Sequence, residues 1–492
     1  MTERLLILAI LLASSVLHLL SWHTGHNWGD DFSAYIMQAI SLTEGTAEGF
    51  LERNAFTVNE SSTPVGPVTY PWGFPILLAP FYSLFGLNIL AFKSVVLIFY
   101  LGFLVVLWFL VRCFRPTERL IFVSIFAFNP YFMQFGNNVL SDIPFLFFST
   151  LSFLLLSILD RCRTTGGTYT IAVLLGICYT VATAIRTSGI LLPATCCAML
   201  FLILGRSFLP AHRVLDSQLI VLSDLRTDKK FPYVMSLVCF SVTIWLFNHL
   251  VPGHQSSYLD HFEHVTAKSI FENTTYYALL IKDFFGPSLI GTGLYLFSLP
   301  FAFLGFREKW RNSIAVLIYV FSTSALYIIW PYPQGLRFIF PVLPFYIYFV
   351  FIGLRTSEVW CMRQKITAQL PSLALLSILV LMSIVQIHRN ISRNFIYSDG
   401  PYTKDAQEMF AFIRQVVPRD EIVVFCKPRA MRLFTGRDTV LYDNVDDFKY
   451  LHWYVVDKNN LQSIDKERVF LFAKHPATIA YENSQFLVYK FK

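Results

Sequence analysis

Long apolar stretches, separated by short polar segments, make up most of the first 387 residues of the chain. A helix that crosses a membrane needs about 17–25 largely apolar residues. Stretches of this length predict about eleven spans, at residues 4–22, 88–111, 120–136, 143–159, 170–186, 188–205, 233–251, 288–306, 313–330, 338–354 and 372–387. The pattern therefore predicts a polytopic α-helical membrane protein whose membrane domain covers residues 1–387.

The polar segment 23–87 is the longest connection within this domain. It contains "DDFSAYIMQAISLTEG", which has the spacing of an amphipathic helix that begins at two acidic residues and ends at a glycine. The apolar run 74–86, "FPILLAPFYSLFG", is too short and too rich in proline to cross a membrane. It predicts a juxtamembrane helix that lies in the outer interface.

Residues 388–492 predict a separate soluble domain. Its stretch 403–417 has the apolar period of a helix and precedes runs rich in β-branched and aromatic residues: "EIVVFC", "TVLYD", "WYVVD", "RVFLFA" and "FLVYKF". Runs of this composition and length indicate β-strands. We therefore expect a small C-terminal α/β domain outside the membrane.

Composition and charge fix the expected orientation. The chain is 55% hydrophobic and 14% charged, with a mean hydropathy of +0.53 and a formal net charge of +7. The basic residues lie in alternate short loops, which predicts an inner N-terminus, an outer C-terminus and contact with membrane lipids rather than nucleic acid. Eight cysteines show no spacing typical of a disulfide framework or metal site. We expect a multi-pass protein of the inner (plasma) membrane.

Five ionisable residues, distant in sequence, fall at the predicted outer ends of the helices: Asp30, Asp31, Asp142, Arg186 and Arg337. Charged side chains next to hydrocarbon are costly and commonly mark a functional site. A carboxylate can accept the proton of an acceptor hydroxyl, and guanidinium groups can bind a phosphate. The set suits group transfer from a lipid-linked phosphate. The alternative is that each residue is an ordinary helix-end charge.

Weaker signals lie in the loops and the tail. Tyr35, four residues after Asp31 in the acidic helix, and Tyr70, before the apolar run 74–86, are candidate donor or acceptor contacts. His261 and His264, three residues apart, are further candidate contacts, although no complete ligand set indicates a metal. No cofactor is expected, and a divalent metal, although compatible with such a site, is not indicated. The basic stretch "KPRAMRLFTGR" is interpreted as a solvated helix face.

Five segments in order resemble polytopic transferases of the glycosyltransferase C superfamily, in the group of the protein mannosyltransferases and the lipid A aminoarabinose transferases. They are "GDDFSAYIMQAISLTEG", "YPWGFPILLAPFYSLFG", "FNPYFMQFGNNVLSDIPFLFFSTLSFLLL", "IRTSGILLP" and "GLRFIFPVLPF". The resemblance implies inverting transfer of a sugar from a polyprenyl-phosphate donor to an acceptor on the extracytoplasmic side. The acceptor class stays open between glycan, lipid and protein.

The resemblance also implies roles for the five charges. Asp31 would be the catalytic base because its spacing to Tyr35 matches the family pattern, with Asp30 as its partner or alternate. Asp142 would orient the acceptor or the base, and Arg337 and Arg186 would bind the donor phosphate. Two other functions remain open from the sequence: a transporter or lipid flippase, and a non-catalytic relative in envelope assembly. A transporter should show repeated halves and broken helices at the membrane midplane, which the sequence does not display.

Overall fold

The protein is mostly helical in its computed structural model. The structure describes residues 2–63, 65–162, 164–206, 230–253, 265–286, 288–363, 380–381, 383–385, 387, 399–450, 452–459, 461, 471–472 and 474–492. Among the predicted features, His261, His264 and residues 372–379 of the last predicted span lie outside these ranges.

The helices are, in chain order, α1 (Thr2–Ser21), α2 (Asp30–Glu44), α3 (Ala47–Glu60), α4 (Gly73–Phe85), α5 (Ile89–Leu110), α6 (Pro116–Ala127), α7 (Pro130–Gly136), α8 (Asp142–Arg161), α9 (Thr165–Ile185), α10 (Leu191–Arg206), α11 (Lys230–Leu250), α12 (Ala267–Phe284), α13 (Leu289–Lys309), α14 (Ile314–Ile329), α15 (Leu343–Arg363), α16 (Lys404–Val416) and α17 (Pro428–Thr435). The strands are β1 (Val423–Val424), β2 (Thr439–Val440), β3 (Trp453–Asp457), β4 (Ala477–Glu482) and β5 (Phe486–Phe491). Short 3-10 helices lie at Thr187–Ile190, Trp310–Ser313, Gly335–Ile339 and Val445–Asp447.

A multi-pass membrane architecture is confirmed. Seven segments of the described chain are long and apolar enough to cross a membrane: Glu3–Ser21, Ile89–Leu110, Asp142–Arg161, Thr165–Ile185, Thr187–Leu204, Lys230–Leu250 and Leu289–Ile329. The last of these runs through both α13 and α14. The apolar helices pack in pairs, α5 on α8, α8 on α9, α9 on α11 and α13 on α15. Their buried faces form one large core, whereas many Leu, Ile and Phe side chains on the opposite faces stay exposed.

The predicted span 120–136 is not one helix. Instead, α6 ends at Ala127 and α7 begins at Pro130. Pro130 lacks a backbone N–H, and the Asn129 side chain accepts hydrogen bonds from the backbone N–H groups of Tyr131 and Phe132, which starts a new helix. With 12 and 7 residues, both helices are shorter than a membrane span.

The polar segment after α1 contains three helices. Its first helix, α2, starts with two acidic residues that complement the positive end of the helix dipole, and it stops at Gly45 in the left-handed conformation (φ 68°). The juxtamembrane helix predicted at residues 74–86 corresponds to α4, which has 13 residues. Helix α2 packs on both α3 and α4.

The C-terminal residues form an α/β domain around a five-stranded sheet of order β2-β1-β3-β5-β4. Strand β1 pairs in parallel with β2 and β3, whereas β5 pairs in antiparallel fashion with β3 and β4. Strand β4 was not predicted from the sequence. Of the predicted strand "RVFLFA", residues 468–470 and 473 lie outside the described residues, and Leu471 and Phe472 are helical, so the strand prediction was wrong there. Helices α16 and α17 cover the sheet, and α17 also packs on α2 of the membrane domain. We call the end of the helix bundle where α2 meets α17 the domain end.

Candidate active site

The Asp31 carboxylate stands at the domain end and is bound on both of its oxygens. The Tyr70 hydroxyl donates to Oδ1 at 2.6 Å, and both Nη atoms of Arg337 donate to Oδ2 at 3.2 Å. The Asp31 side chain is 29% exposed, so that a reactant can reach it. A carboxylate fixed in this way has a defined orientation and an open side.

Two local devices hold the partners of Asp31 in place. Arg337 lies in the 3-10 helix Gly335–Ile339, where it also donates to Oε1 of Gln334 at 2.5 Å. Tyr70 is held through its backbone, because the buried Gln38 side chain of α2 donates to the Tyr70 carbonyl at 2.9 Å and accepts from its N–H at 3.1 Å. The amide of Gln38 therefore ties the loop before α4 to the helix that carries Asp31.

A second ion pair lies beside the first. Asp142, in the first turn of α8, accepts a hydrogen bond from Arg186, the residue that ends α9. The Arg186 guanidinium lies 5.5 Å from the ring centroid of Phe338, and the guanidinium of the adjacent Arg337 lies 5.9 Å from the same ring. The two arginines therefore share one aromatic side chain, and the structure brings both predicted phosphate-binding residues together.

Tyr35 connects the two pairs. Its hydroxyl is 2.9 Å from Oγ of Ser141, the residue before Asp142, and its ring centroid is 4.6 Å from that of Tyr70. The ring is buried. Tyr35 therefore lies within the predicted cluster.

The electrostatic surroundings keep Asp31 ionised. Burial alone would raise the pKa of this carboxyl, but the positive charge of Arg337, the hydrogen bond from Tyr70 and the charge of Arg429 outweigh it and lower the pKa below its usual range. The carboxylate form is the one that can accept a proton at neutral pH.

Asp30 has a different environment from its neighbour. Its Oδ1 accepts hydrogen bonds from the backbone N–H groups of Arg429 (3.2 Å) and Ala430 (3.3 Å), at the start of α17. Burial raises the pKa of Asp30 above its usual range, although Arg429 and Lys427 oppose that shift. Asp30 therefore joins the membrane domain to the C-terminal domain, whereas Asp31 faces Arg337.

The sequence analysis missed Arg429 and was wrong about the stretch that contains it. Arg429 and Arg432 are 0% and 4% exposed, so this face of α17 is not solvated. Nη1 of Arg429 lies 3.4 Å from the Tyr70 hydroxyl, and its Nη2 donates to the carbonyl of Pro67. The sequence carried no signal for this burial, because arginines three residues apart share one helix face whether that face is buried or solvated.

The described part of the chain contains no group of three or more His, Cys, Asp or Glu side chains arranged to hold a metal ion. The chemistry available is that of a carboxylate and several guanidinium groups. The carboxylate can take a proton, and each guanidinium carries five N–H donors, more than the present contacts use. The site therefore suits proton abstraction from a hydroxyl beside an anionic group.

No family model and no curated protein matches the sequence. Among solved structures, ArnT from Cupriavidus metallidurans bound to undecaprenyl phosphate is 12% identical, with a TM-score of 0.60 over 98% of this chain and 97% of that chain. The oligosaccharyltransferase of Archaeoglobus fulgidus in the apo form is 10% identical, with a TM-score of 0.57 over 92% of this chain and 69% of that chain. The archaeal oligosaccharyltransferase AglB from the same organism, in complex with an inhibitory peptide and a dolichol-phosphate, is 11% identical, with a TM-score of 0.53 and the same coverage.

These similarities confirm the fold that the resemblance predicted. ArnT, a lipid A aminoarabinose transferase, belongs to the group named from the five sequence segments. Its match extends over nearly the full length of both chains.

Proposed function

We propose that the protein is an integral-membrane, inverting glycosyltransferase that moves a sugar from a polyprenyl-phosphate donor to an acceptor on the extracytoplasmic side. The observation that carries this proposal is the Asp31 carboxylate, ionised and fixed by Arg337 and Tyr70 at the domain end. The shared fold with ArnT bound to undecaprenyl phosphate supports a lipid-linked donor.

The proposed reaction is a single displacement. Asp31 accepts the proton of the acceptor hydroxyl, and the acceptor oxygen forms a bond to the anomeric carbon of the sugar. The bond from that carbon to the phosphate oxygen breaks on the opposite face, so that the configuration inverts and polyprenyl phosphate leaves with the electron pair. The charge that develops on the leaving phosphate needs positive groups nearby.

Arg337 and Arg186 are the proposed phosphate ligands. Each now pairs with a carboxylate, Arg337 with Asp31 and Arg186 with Asp142. Their planar guanidinium groups can hold a carboxylate and a phosphate oxygen together. Asp142 is assigned to orient the acceptor or the base, and Asp30 is assigned to docking of the C-terminal domain rather than to chemistry.

The arrangement of basic loops in the sequence supports an inner N-terminus and an outer C-terminal domain. With this orientation, the domain end faces the extracytoplasmic side of the inner (plasma) membrane. Acceptors that reach this side include glycans, lipids and proteins. The sugar and the acceptor remain to be identified by experiment.

Membranes from cells that express the chain would be given a panel of radiolabelled polyprenyl-phosphate sugars together with cell-envelope extract. We expect one donor to be consumed by the wild type and by Asp446→Asn, a matched change at an 86% exposed side chain. Asp31→Asn should consume none. If the wild type consumes no donor in a panel that ArnT-like transferases can use, the proposal fails, and a transporter or a non-catalytic role in envelope assembly becomes the better explanation.

A further inference from the structure

The C-terminal domain docks on the first polar segment through specific polar contacts. Arg432 donates to the carbonyl of Arg53 and to the side chains of Asn54 and Thr57 on α3, and the Thr57 hydroxyl in turn donates to the Thr439 carbonyl at 2.9 Å. Specific side-chain hydrogen bonds therefore fix the position of the C-terminal domain on the first polar segment.

Arg429 does more than dock the domain, because it contacts Tyr70, whose hydroxyl donates a hydrogen bond to Asp31. Its side chain is fully buried, with the guanidinium carbon 5.5 Å from the centroid of the Tyr70 ring and Nη1 beside the Tyr70 hydroxyl. That hydroxyl has only one hydrogen, which it gives to Asp31 at 2.6 Å. Arg429 therefore donates to the Tyr70 oxygen, and the chain of donors runs from Arg429 through Tyr70 to Asp31.

The space around this contact is closely fitted. Gly66 has φ +103°, and a Cβ atom added there would lie 3.0 Å from Nη1 of Arg429 and 3.1 Å from the Tyr70 hydroxyl. Nε of Arg429 is buried without a hydrogen-bond partner among the described residues. An unsatisfied buried donor costs free energy, so its retention at this point calls for a compensating role.

Neighbouring groups compensate for the burial of the charged Arg429 side chain. Burial of a guanidinium is costly unless negative or polar groups compensate for it. Tyr70, Asp30 and Asp31 supply that compensation and raise the pKa of Arg429 against the effect of its burial. The acids of the first polar segment and a cation of the C-terminal domain therefore stabilise one another across the interface.

We infer that Arg429 is a positioning residue for the catalytic base: it holds the Tyr70 hydroxyl so that this hydroxyl fixes Asp31, which makes the C-terminal domain part of the active site. The inference depends on the proposed function for the identity of the base. A purely structural role would make Arg429 equivalent to Arg432, which contacts α3 and does not touch Tyr70.

The first test compares turnover of the variants Arg429→Gln, Arg429→Lys, Tyr70→Phe and Arg432→Gln, each normalised to folded protein. Loss of one hydrogen bond to a charged group corresponds to about tenfold to hundredfold in rate. We expect such a loss of kcat in Arg429→Gln, with donor KM within about threefold of the wild type because the donor site is untouched. Arg429→Lys should recover part of kcat, since it keeps the charge without the paired donors.

The double variant tests whether Arg429 affects Asp31 through Tyr70 or only helps to dock the C-terminal domain. If Arg429 acts through Tyr70, then Tyr70→Phe with Arg429→Gln together should lose about as much kcat as either change alone. Losses that multiply in the double variant would overturn the inference. So would a loss of kcat in Arg432→Gln equal to that of Arg429→Gln.

A second measurement does not depend on turnover, so that failure of the inference can be told from failure of the proposed function. In a background without the eight native cysteines, Asp31→Cys gives a thiol whose alkylation rate against pH reports its pKa. Arg429→Gln should raise that pKa, and Arg432→Gln should leave it nearly unchanged. If Arg429→Gln does not change the pKa of the introduced thiol, the inference is wrong, even if the wild type transfers sugar. If the shift is seen but no donor is consumed, only the proposed function fails.

Discussion

At the residue scale, two adjacent acids of one type have different roles because they point to different partners. Asp31 meets Arg337 and Tyr70, which stabilise its ionised form. Asp30 accepts hydrogen bonds from the first N–H groups of α17, and burial raises its pKa above the usual range. The sequence does not show which groups contact each aspartate in the folded protein. It therefore left the choice between Asp30 and Asp31 as the base open.

The Tyr70 hydroxyl should set the pH dependence of turnover. It donates to the ionised carboxylate, as do the groups of Arg337, so Tyr70→Phe should raise the pKa of Asp31. A base works only when deprotonated, and a raised pKa means that activity is lost at a higher pH as the solution is acidified. A kcat/KM profile that extends from below pH 4, where the wild-type acid limb is expected, up to about pH 8 measures this shift. Tyr276→Phe, at a 37% exposed tyrosine, serves as the control. An unmoved acid limb in Tyr70→Phe would rule out the assigned hydrogen bond.

Arg337 should not be replaceable by lysine. Both Nη atoms bind one oxygen of Asp31, and a lysine offers a single point charge instead of this fork. Arg337→Lys is expected to raise donor KM and to lower kcat, each by about tenfold to hundredfold. Steady-state kinetics measure both effects, with Arg414→Lys on the exposed side of α16 as the control. Wild-type kinetics in Arg337→Lys would exclude a phosphate-binding role.

At the element scale, the sequence predicted individual long apolar helices because apolar pattern and length are local properties, although seven segments of the described chain are long and apolar enough to cross a membrane, against about eleven predicted spans. The predicted span 143–159 corresponds to α8, and 88–111 corresponds to α5. The break between α6 and α7 at Asn129 was not predicted, because counting apolar residues does not detect a capping side chain followed by proline. Strand β4 was missed because most of its residues are not buried and its sequence lacks an apolar run.

The end of α2 depends on one glycine. At Gly45 the backbone has φ 68°, which a residue with a Cβ adopts at a cost of about 1 kcal/mol or more. Gly45→Ala should therefore lower the melting temperature of the purified protein, although a Cβ there would meet nothing within 4 Å. Gly49→Ala is the matched control, because Gly49 lies inside α3 and a Cβ added there would likewise meet nothing within 4 Å. The free energy of unfolding of this variant should rise by about 0.5–1 kcal/mol. Equal effects of the two changes would contradict the assigned helix end.

At the scale of the whole molecule, the site is built from distant parts of the chain that only the tertiary fold unites. The predicted outer helix ends supplied Asp31, Asp142, Arg186 and Arg337, resemblance to a family supplied their expected roles, and the fold brings them to one end of the bundle. The contribution of Arg429 required the structure, because the contact with Tyr70 spans 359 positions in the sequence. No periodicity or motif within α17 distinguishes a buried arginine from a solvated one.

Trp28 should control docking of the C-terminal domain. This residue of the first polar segment packs in the domain core, with its ring centroid 5.6 Å from that of Phe425 and its indole N–H donating to Asp399 at 2.5 Å. Trp28→Ala is expected to remove about 3–5 kcal/mol of packing free energy. Hydrogen exchange in α17 should then become faster and kcat should fall. Trp310→Ala, at a 45% exposed tryptophan, is the control. Unchanged exchange in Trp28→Ala would show that the domain docks without it.

The most direct test of the central claim is a single-turnover experiment on purified protein, with the active donor from the panel bound at saturating concentration and cell-envelope extract added as the source of acceptor to start the reaction. Release of polyprenyl phosphate would be followed in the wild type, Asp31→Asn and Asp446→Asn, with donor occupancy measured in each. General-base catalysis predicts a loss of about 10²–10⁴-fold in Asp31→Asn at equal occupancy, and none in the control. A rate for Asp31→Asn within about threefold of the wild type, well below that range, would show that Asp31 is not the base.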